Sequence, residues 1–286
     1  MTRIVAMGVG LAALLGACGG SDAQQPGRGV EVVAGIYPLA EIARQIGGDH
    51  VQVSELVPPG VEPHDVELTS NDIATIEGAD LVLHLGAVFQ PAVADAVPAE
   101  TSLDLLEATR AGEDPHIWLD PVLMRHVADL IARRLAEIDP PNEQAYMDAL
   151  AVVTADLDEL NEAYAAALLQ CERKTFVTSH DAFGLLASRY GLTQHSIAGI
   201  SPENEPTAAR LEELRDIVRA EGITVVFAEE LVPRRVAETL AREAGVEVQV
   251  LDPIENPDDQ QRAAGGYDSI MRENLRKLAE ALGCEA

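Results

Sequence analysis

The sequence predicts an α/β protein of two lobes, each with a central, mainly parallel sheet, joined by one long rigid helix. Short runs rich in Val, Ile and Thr alternate with helical patterns along the whole chain, the signature of βα units. Hydrophobic residues make up 47% of the 286 positions but aromatics only 3%, so the core has to be built from Val, Leu, Ile and Ala. Between two sets of strand-like runs, Asn142 to Gln170 contains neither Pro nor Gly and is rich in Ala, Leu, Glu and Asp.

The elements follow in chain order. Arg3 precedes an apolar run from Ile4 to Leu15 that is too short to span a bilayer, so residues 1–17 read as an export signal. The run ends in Leu15-Gly16-Ala17-Cys18, which resembles the lipobox of bacterial lipoproteins. Cys18 is the expected lipidated first residue of the mature chain, and simple cleavage after Ala17 is the alternative. Residues 18–29, rich in Gly, Gln and Ser, read as a flexible tether. An N-terminal lobe is expected over 30–139, with strands at Val30 to Ile36, Val51 to Val57 and Asp80 to Leu85. A bridging helix is expected over 140–170, with Pro140 and Pro141 at its start, where proline is tolerated. A C-terminal lobe is expected over 171–286, with strands at Lys174 to Thr178, Thr193 to Ala198, Ile223 to Ala228 and Val246 to Leu251.

The formal net charge of −28 would repel phosphate backbones and argues against a nucleic-acid partner. A solvated acidic coat that keeps the chain soluble is the plainest reading of that charge. With Cys18 lipidated, Cys171 and Cys284 remain, and in an oxidising compartment two leftover thiols suggest one disulfide without fixing the pairing.

Three of the seven histidines stand in loop contexts. His64 closes Pro58-Pro59-Gly60-Val61-Glu62-Pro63-His64, after a strand. His116 lies in Pro115-His116-Ile117-Trp118-Leu119-Asp120-Pro121, ahead of a helix, with no preceding strand evident. His180 lies in Thr178-Ser179-His180-Asp181-Ala182-Phe183, at a strand's end. Ligands of open α/β sheets bind outside the carboxyl ends of strands. Asp252 follows the last strand and precedes Pro253. Proline beside these residues limits backbone freedom and lowers the cost of ordering a site. Three imidazoles and one carboxylate suit a tetrahedral Zn²⁺ site, and nitrogen donors favour zinc over Mn²⁺. His50, His84, His126 and His195 receive no role.

These segments, with Gly199-Ile200-Ser201-Pro202-Glu203-Asn204-Glu205-Pro206, resemble the zinc/manganese-type solute-binding lipoproteins of ABC importers, from about Val30 onward. The resemblance implies two lobes bridged by a long helix, with metal in the cleft between them and little hinge movement. It implies an exported, lipid-anchored, monomeric carrier outside the cytoplasmic membrane or in the periplasm, delivering Zn²⁺ to a membrane permease. Its ligands fall on His64, His116, His180 and Asp252. A histidine at position 180, where manganese-type members tend to carry Glu, leans toward zinc. Asp65, Asp181, Glu229 and Glu230 are candidates to orient the imidazoles. One departure is that Ala87 to Asp114 contains no histidine, so accessory metal scavenging by a His-rich loop is not expected. The competing readings are a carrier of Mn²⁺ or Fe²⁺, a metal-stabilised surface adhesin, and an exported zinc hydrolase, which lacks the His-Glu-x-x-His helix signature.

Overall fold

The computed structural model describes residues 29–64, 66–231 and 233–285. The expected export signal, Cys18 and almost all of the tether lie outside them. In the first lobe β1 (Val30–Ala34), β2 (Val51–Glu55), β3 (Leu81–His84) and β4 (Ser102–Asp104) form a wholly parallel sheet in the order β2-β1-β3-β4. In the second, β5 (Thr175–Thr178), β6 (Thr193–Ser196), β7 (Val225–Ala228) and β8 (Glu247–Val250) form another, in the order β6-β5-β7-β8. Both lobes therefore share one strand order, which reverses between β1 and β3 and again between β5 and β7. The seven strands expected from sequence are present, slightly shorter than expected. The eighth, β4, has only three residues, too few for a periodicity to register.

The helix Glu143–Ala167 joins the lobes and is about 38 Å long at 1.5 Å per residue. Its buried residues Tyr146, Val153, Leu157, Leu160 and Tyr164 recur at helical spacing and face the helices Tyr37–Gly47, Pro121–Ile138 and Gly266–Leu282. Pro140 and Pro141 sit in a short 3₁₀ turn just ahead of it. Cys171 and Cys284 form a disulfide that ties the entry of the second lobe to the end of its last helix. No helix among the described residues is long and apolar enough to cross a membrane.

Side-chain alternation along the strands divides the apolar residues into three clusters. Val33 and Val82 point away from the other lobe into one satellite, and Val177 and Val226 into another. Val32, Ala34, Leu81 and Leu83 point instead into the main core, which also takes in Trp118, Leu157, Phe176, Phe183, Phe227, Ile254 and Met271. That core is continuous from lobe to lobe. Trp118 is fully buried in it, and its indole N–H donates to the carbonyl of Pro253 across the lobes at 2.7 Å. Its own carbonyl accepts from the Tyr267 hydroxyl at 2.5 Å. Burying a large apolar side chain contributes about 1.5–3 kcal/mol, so the shared core opposes any wide separation of the lobes.

Candidate metal centre

His64 leaves the N-terminal sheet on the loop after β2. Its backbone N–H donates to the Glu62 carboxylate at 3.1 and 3.2 Å, and its ring lies against Phe89 with centroids 4.5 Å apart. The preceding carbonyl, of Pro63, accepts from the buried Gln90 side chain at 3.1 Å. His116 precedes a short 3₁₀ turn, Ile117–Leu119, and packs against Trp118. His180 follows β5, and Glu229 follows the adjacent β7, so both stand where the strand order of the second sheet reverses.

The structure brings the three histidines together. Their ring nitrogens and the carboxylate of Glu255 lie within 4.8 Å of one another. Glu255 Oε1 is 3.2 Å from His64 Nε2, 3.1 Å from His180 Nε2 and 3.5 Å from His116 Nε2, and the last two nitrogens are 3.3 Å apart. His116 and His180 are 0% exposed, Glu255 2% and His64 4%. Two carboxylates fix the tautomers that leave Nε2 free to ligate. Asp114 accepts from His116 Nδ1 at 2.8 Å, and Glu229 accepts from His180 Nδ1 at 2.6 Å.

Burial by itself would lower both imidazole pKa values, but facing carboxylates reverse the sign. Asp114 and Glu255 raise His116, and Glu229 and Glu255 hold His180 well above the usual histidine range. Burial would raise Glu255, yet His180, His116 and His64 hold it well below the usual carboxylate range. Lone pairs converging in a buried pocket call for positive charge, supplied by protons or by a cation. Three nitrogens and one oxygen match in number and type the donors that a tetrahedral metal such as zinc takes.

Asp252, the fourth ligand expected from sequence, is not among the clustered donors, and Glu255 stands in that place. Its Oδ1 accepts from the N–H of Ile254 at 2.7 Å and its Oδ2 from Gln261 at 2.8 Å, so it braces the turn after β8. Burial pushes its pKa up to about 6, against the lowering pull of the Ile254 N–H, with the charge of Glu230 adding to the rise. Within that turn the buried Ile254 takes φ 58°, a left-handed conformation costly for a β-branched side chain. The chain then presents Glu255, three residues beyond the expected ligand.

Of the residues expected to orient the imidazoles, Glu229 does so. Glu230 instead accepts from Gln261 at 3.2 Å. Asp181 is half-buried, burial and the charge of Asp114 raise its pKa, and it makes no hydrogen bond to an imidazole of the described residues. Asp65 lies outside the described residues. Sequence reasoning missed Asp114, whose signal was an acidic residue two positions before His116 in Asp114-Pro115-His116. His84, also buried, takes the Gly86 N–H on Nδ1, so its Nε2 donates to Ser102 and cannot act as a base toward that hydroxyl. The Pro202-Glu203-Asn204-Glu205-Pro206 stretch lines a cavity of about 310 Å³ together with Glu62 and Ser179, the near neighbours of His64 and His180.

The family model described as "ZnuA: Zinc-uptake complex component A periplasmic" matches residues 32–281. The chain is 35% identical over 299 residues to the high-affinity zinc uptake system protein ZnuA of Bacillus subtilis, covering 94% of each. It is 33% identical over 286 residues to the zinc-binding lipoprotein AdcA of Streptococcus pneumoniae, covering 91% of this chain but only 57% of that longer protein. Among solved structures, the laminin-binding protein Lmb of Streptococcus agalactiae, described as bifunctional with adhesin and metal-transporting activity, superposes with a TM-score of 0.82. It is 30% identical, over 89% of this chain and 100% of that one.

Proposed function

The chain belongs to the family of periplasmic zinc-uptake components, and on that premise we propose that His64, His116, His180 and Glu255 hold the Zn²⁺ cargo. The observation that carries this reading is the convergence of three Nε2 atoms and one carboxylate oxygen at a buried position, with both lobes contributing. The chain's role is zinc uptake. The permease of an ABC importer is the partner to which it would deliver the ion.

Several features support a carrier over a catalyst. Four protein donors fill a tetrahedral shell, whereas a catalytic zinc keeps one position for water. Nitrogen-rich donors favour Zn²⁺ over Mn²⁺ as cargo. Cys18 would anchor the chain by lipid outside the cytoplasmic membrane, a monomer on its tether. Replacing Cys18 with Ala should then free the protein from the membrane fraction. Likeness to Lmb favours surface adhesion as a second role, tested by binding of the purified chain to immobilised laminin.

The test of the site is elemental analysis with competitive titration of the chain from residue 29 onward against Zn²⁺ and Mn²⁺. One tightly held zinc per chain is expected, lost without unfolding when His64, His116 and His180 are replaced together by Ala. Metal indifferent to those three residues overturns the reading.

A further inference from the structure

We propose that Asn256 is a positioning residue that locks the His64 loop to the Glu255 turn across the lobes, and so sets how fast the cargo leaves. His64 and Glu255 both sit on irregular chain, in residues 58–64 and 252–258, without a helix or strand to hold them. Asn256 joins the two segments. Its Nδ2 donates to the carbonyls of Pro58 at 2.6 Å and Val61 at 2.7 Å, and its own carbonyl accepts from the N–H of Gly60 at 3.2 Å. Both amide hydrogens are thus spent on the loop that leads into His64.

The amide cannot turn over, because Arg262 holds its other end. Arg262 Nη2 donates to Asn256 Oδ1 at 2.8 Å, and Nε donates to the Pro257 carbonyl at 2.8 Å. The same guanidinium forms a two-pronged pair with Glu55 at the end of β2, at 2.8 and 2.9 Å, and stacks over the Tyr37 ring at 4.3 Å. Arg262 therefore grips the first lobe at Glu55 and the Glu255 turn at Asn256. Asn256 is 3% exposed, so a lost partner there is not replaced by bulk water and leaves an unsatisfied polar group.

His116 and His180 have their own carboxylates in Asp114 and Glu229 and do not depend on this clamp. For the ion to leave, His64 has to part from Glu255, and that separation pulls on the bonds made by Asn256. The clamp thus acts on dissociation while the donor set stays unchanged.

The inference rests on the four-residue cluster being the zinc site, and the two ideas fail differently. If the site is wrong, the wild-type chain holds no zinc through its histidines, which is visible before any clamp variant is made. The test is stopped-flow release of Zn²⁺ from the loaded chain into excess chelator, alongside thermal melting of the metal-free form. Asn256→Asp keeps the shape but turns both donors into acceptors facing two carbonyls. Release about tenfold faster or more is expected, with association changed by less than about threefold. Arg262→Lys keeps a charge opposite Glu55 but loses the fork, and a smaller acceleration in the same direction is expected. Should Asn256→Asp fail to fold, Arg262→Lys decides. Release within about twofold of wild type, with or without a lower melting temperature, makes Asn256 a structural residue only and overturns the proposal.

Discussion

Glu229 grips His180 twice: one carboxylate oxygen accepts the backbone N–H at 3.0 Å and the other accepts Nδ1–H at 2.6 Å. This pairing decides which ring nitrogen of His180 is turned to the clustered donors. Replacing Glu229 with Gln puts an amide NH₂ where one acceptor stood and favours the tautomer with a proton on Nε2. Zinc affinity should fall roughly 10- to 100-fold while the melting temperature of the metal-free protein changes little. Competitive titration with a chromophoric chelator reads this directly.

Glu255 and Asp252 give a sharper contrast. Glu255→Ala removes a proposed donor and should weaken zinc by about 100-fold or more, comparable to loss of one histidine. Asp252→Ala removes the brace on the Ile254 turn. It should lower thermal stability by about 1–3 kcal/mol and weaken zinc less than Glu255→Ala does. Equal losses of affinity in the two variants would contradict the assignment.

Opposite pH trends are expected with and without metal. In the metal-free fold His116 and His180 keep protons above the ordinary histidine value, because carboxylates outweigh burial. Folded chain then binds more protons than unfolded chain, so stability is fully present below about 6.5 and drains away as pH rises through the raised values. Zinc needs the neutral rings, so its affinity should climb over that same interval. Calorimetry of the metal-free form and zinc titration, each between about pH 6.5 and 8, check both slopes. A metal-free melting temperature that rises with pH would refute the argument.

The Cys171–Cys284 bridge closes a loop spanning 113 positions and touches none of the clustered donors. Replacing both cysteines with Ser should cost about 2–4 kcal/mol of stability. Zinc affinity should stay within about threefold of wild type, since no donor or orienting carboxylate moves. Chemical denaturation and metal titration on one preparation separate the two effects.

Much of this molecule was legible from sequence because its signals are local. Pro-His spacing, strand ends and an uninterrupted helical stretch each sit within a few residues; the three histidines they single out converge in the structure, and the bridging helix is present. Glu255 was hidden because strand-end logic selects the first carboxylate, Asp252. The left-handed backbone of Ile254 carries the chain on to Glu255, the proposed donor three residues further, and isoleucine's side chain disfavours that conformation and therefore does not advertise it. Asp114 was hidden for a related reason: its pairing with His116 depends on how the chain folds back over Pro115. Contacts between the lobes, such as Arg262 with Glu55, leave no trace in the periodicity of either segment.

The continuity of the main core from one sheet to the other bears on how such a protein can change over time. Its lobes are alike in strand order but are not separable parts. A lobe transplanted from a distant relative would meet an apolar face shaped for a different partner, and a lobe produced alone would expose that face to water. A change of shape on that shared face is therefore felt by both halves at once.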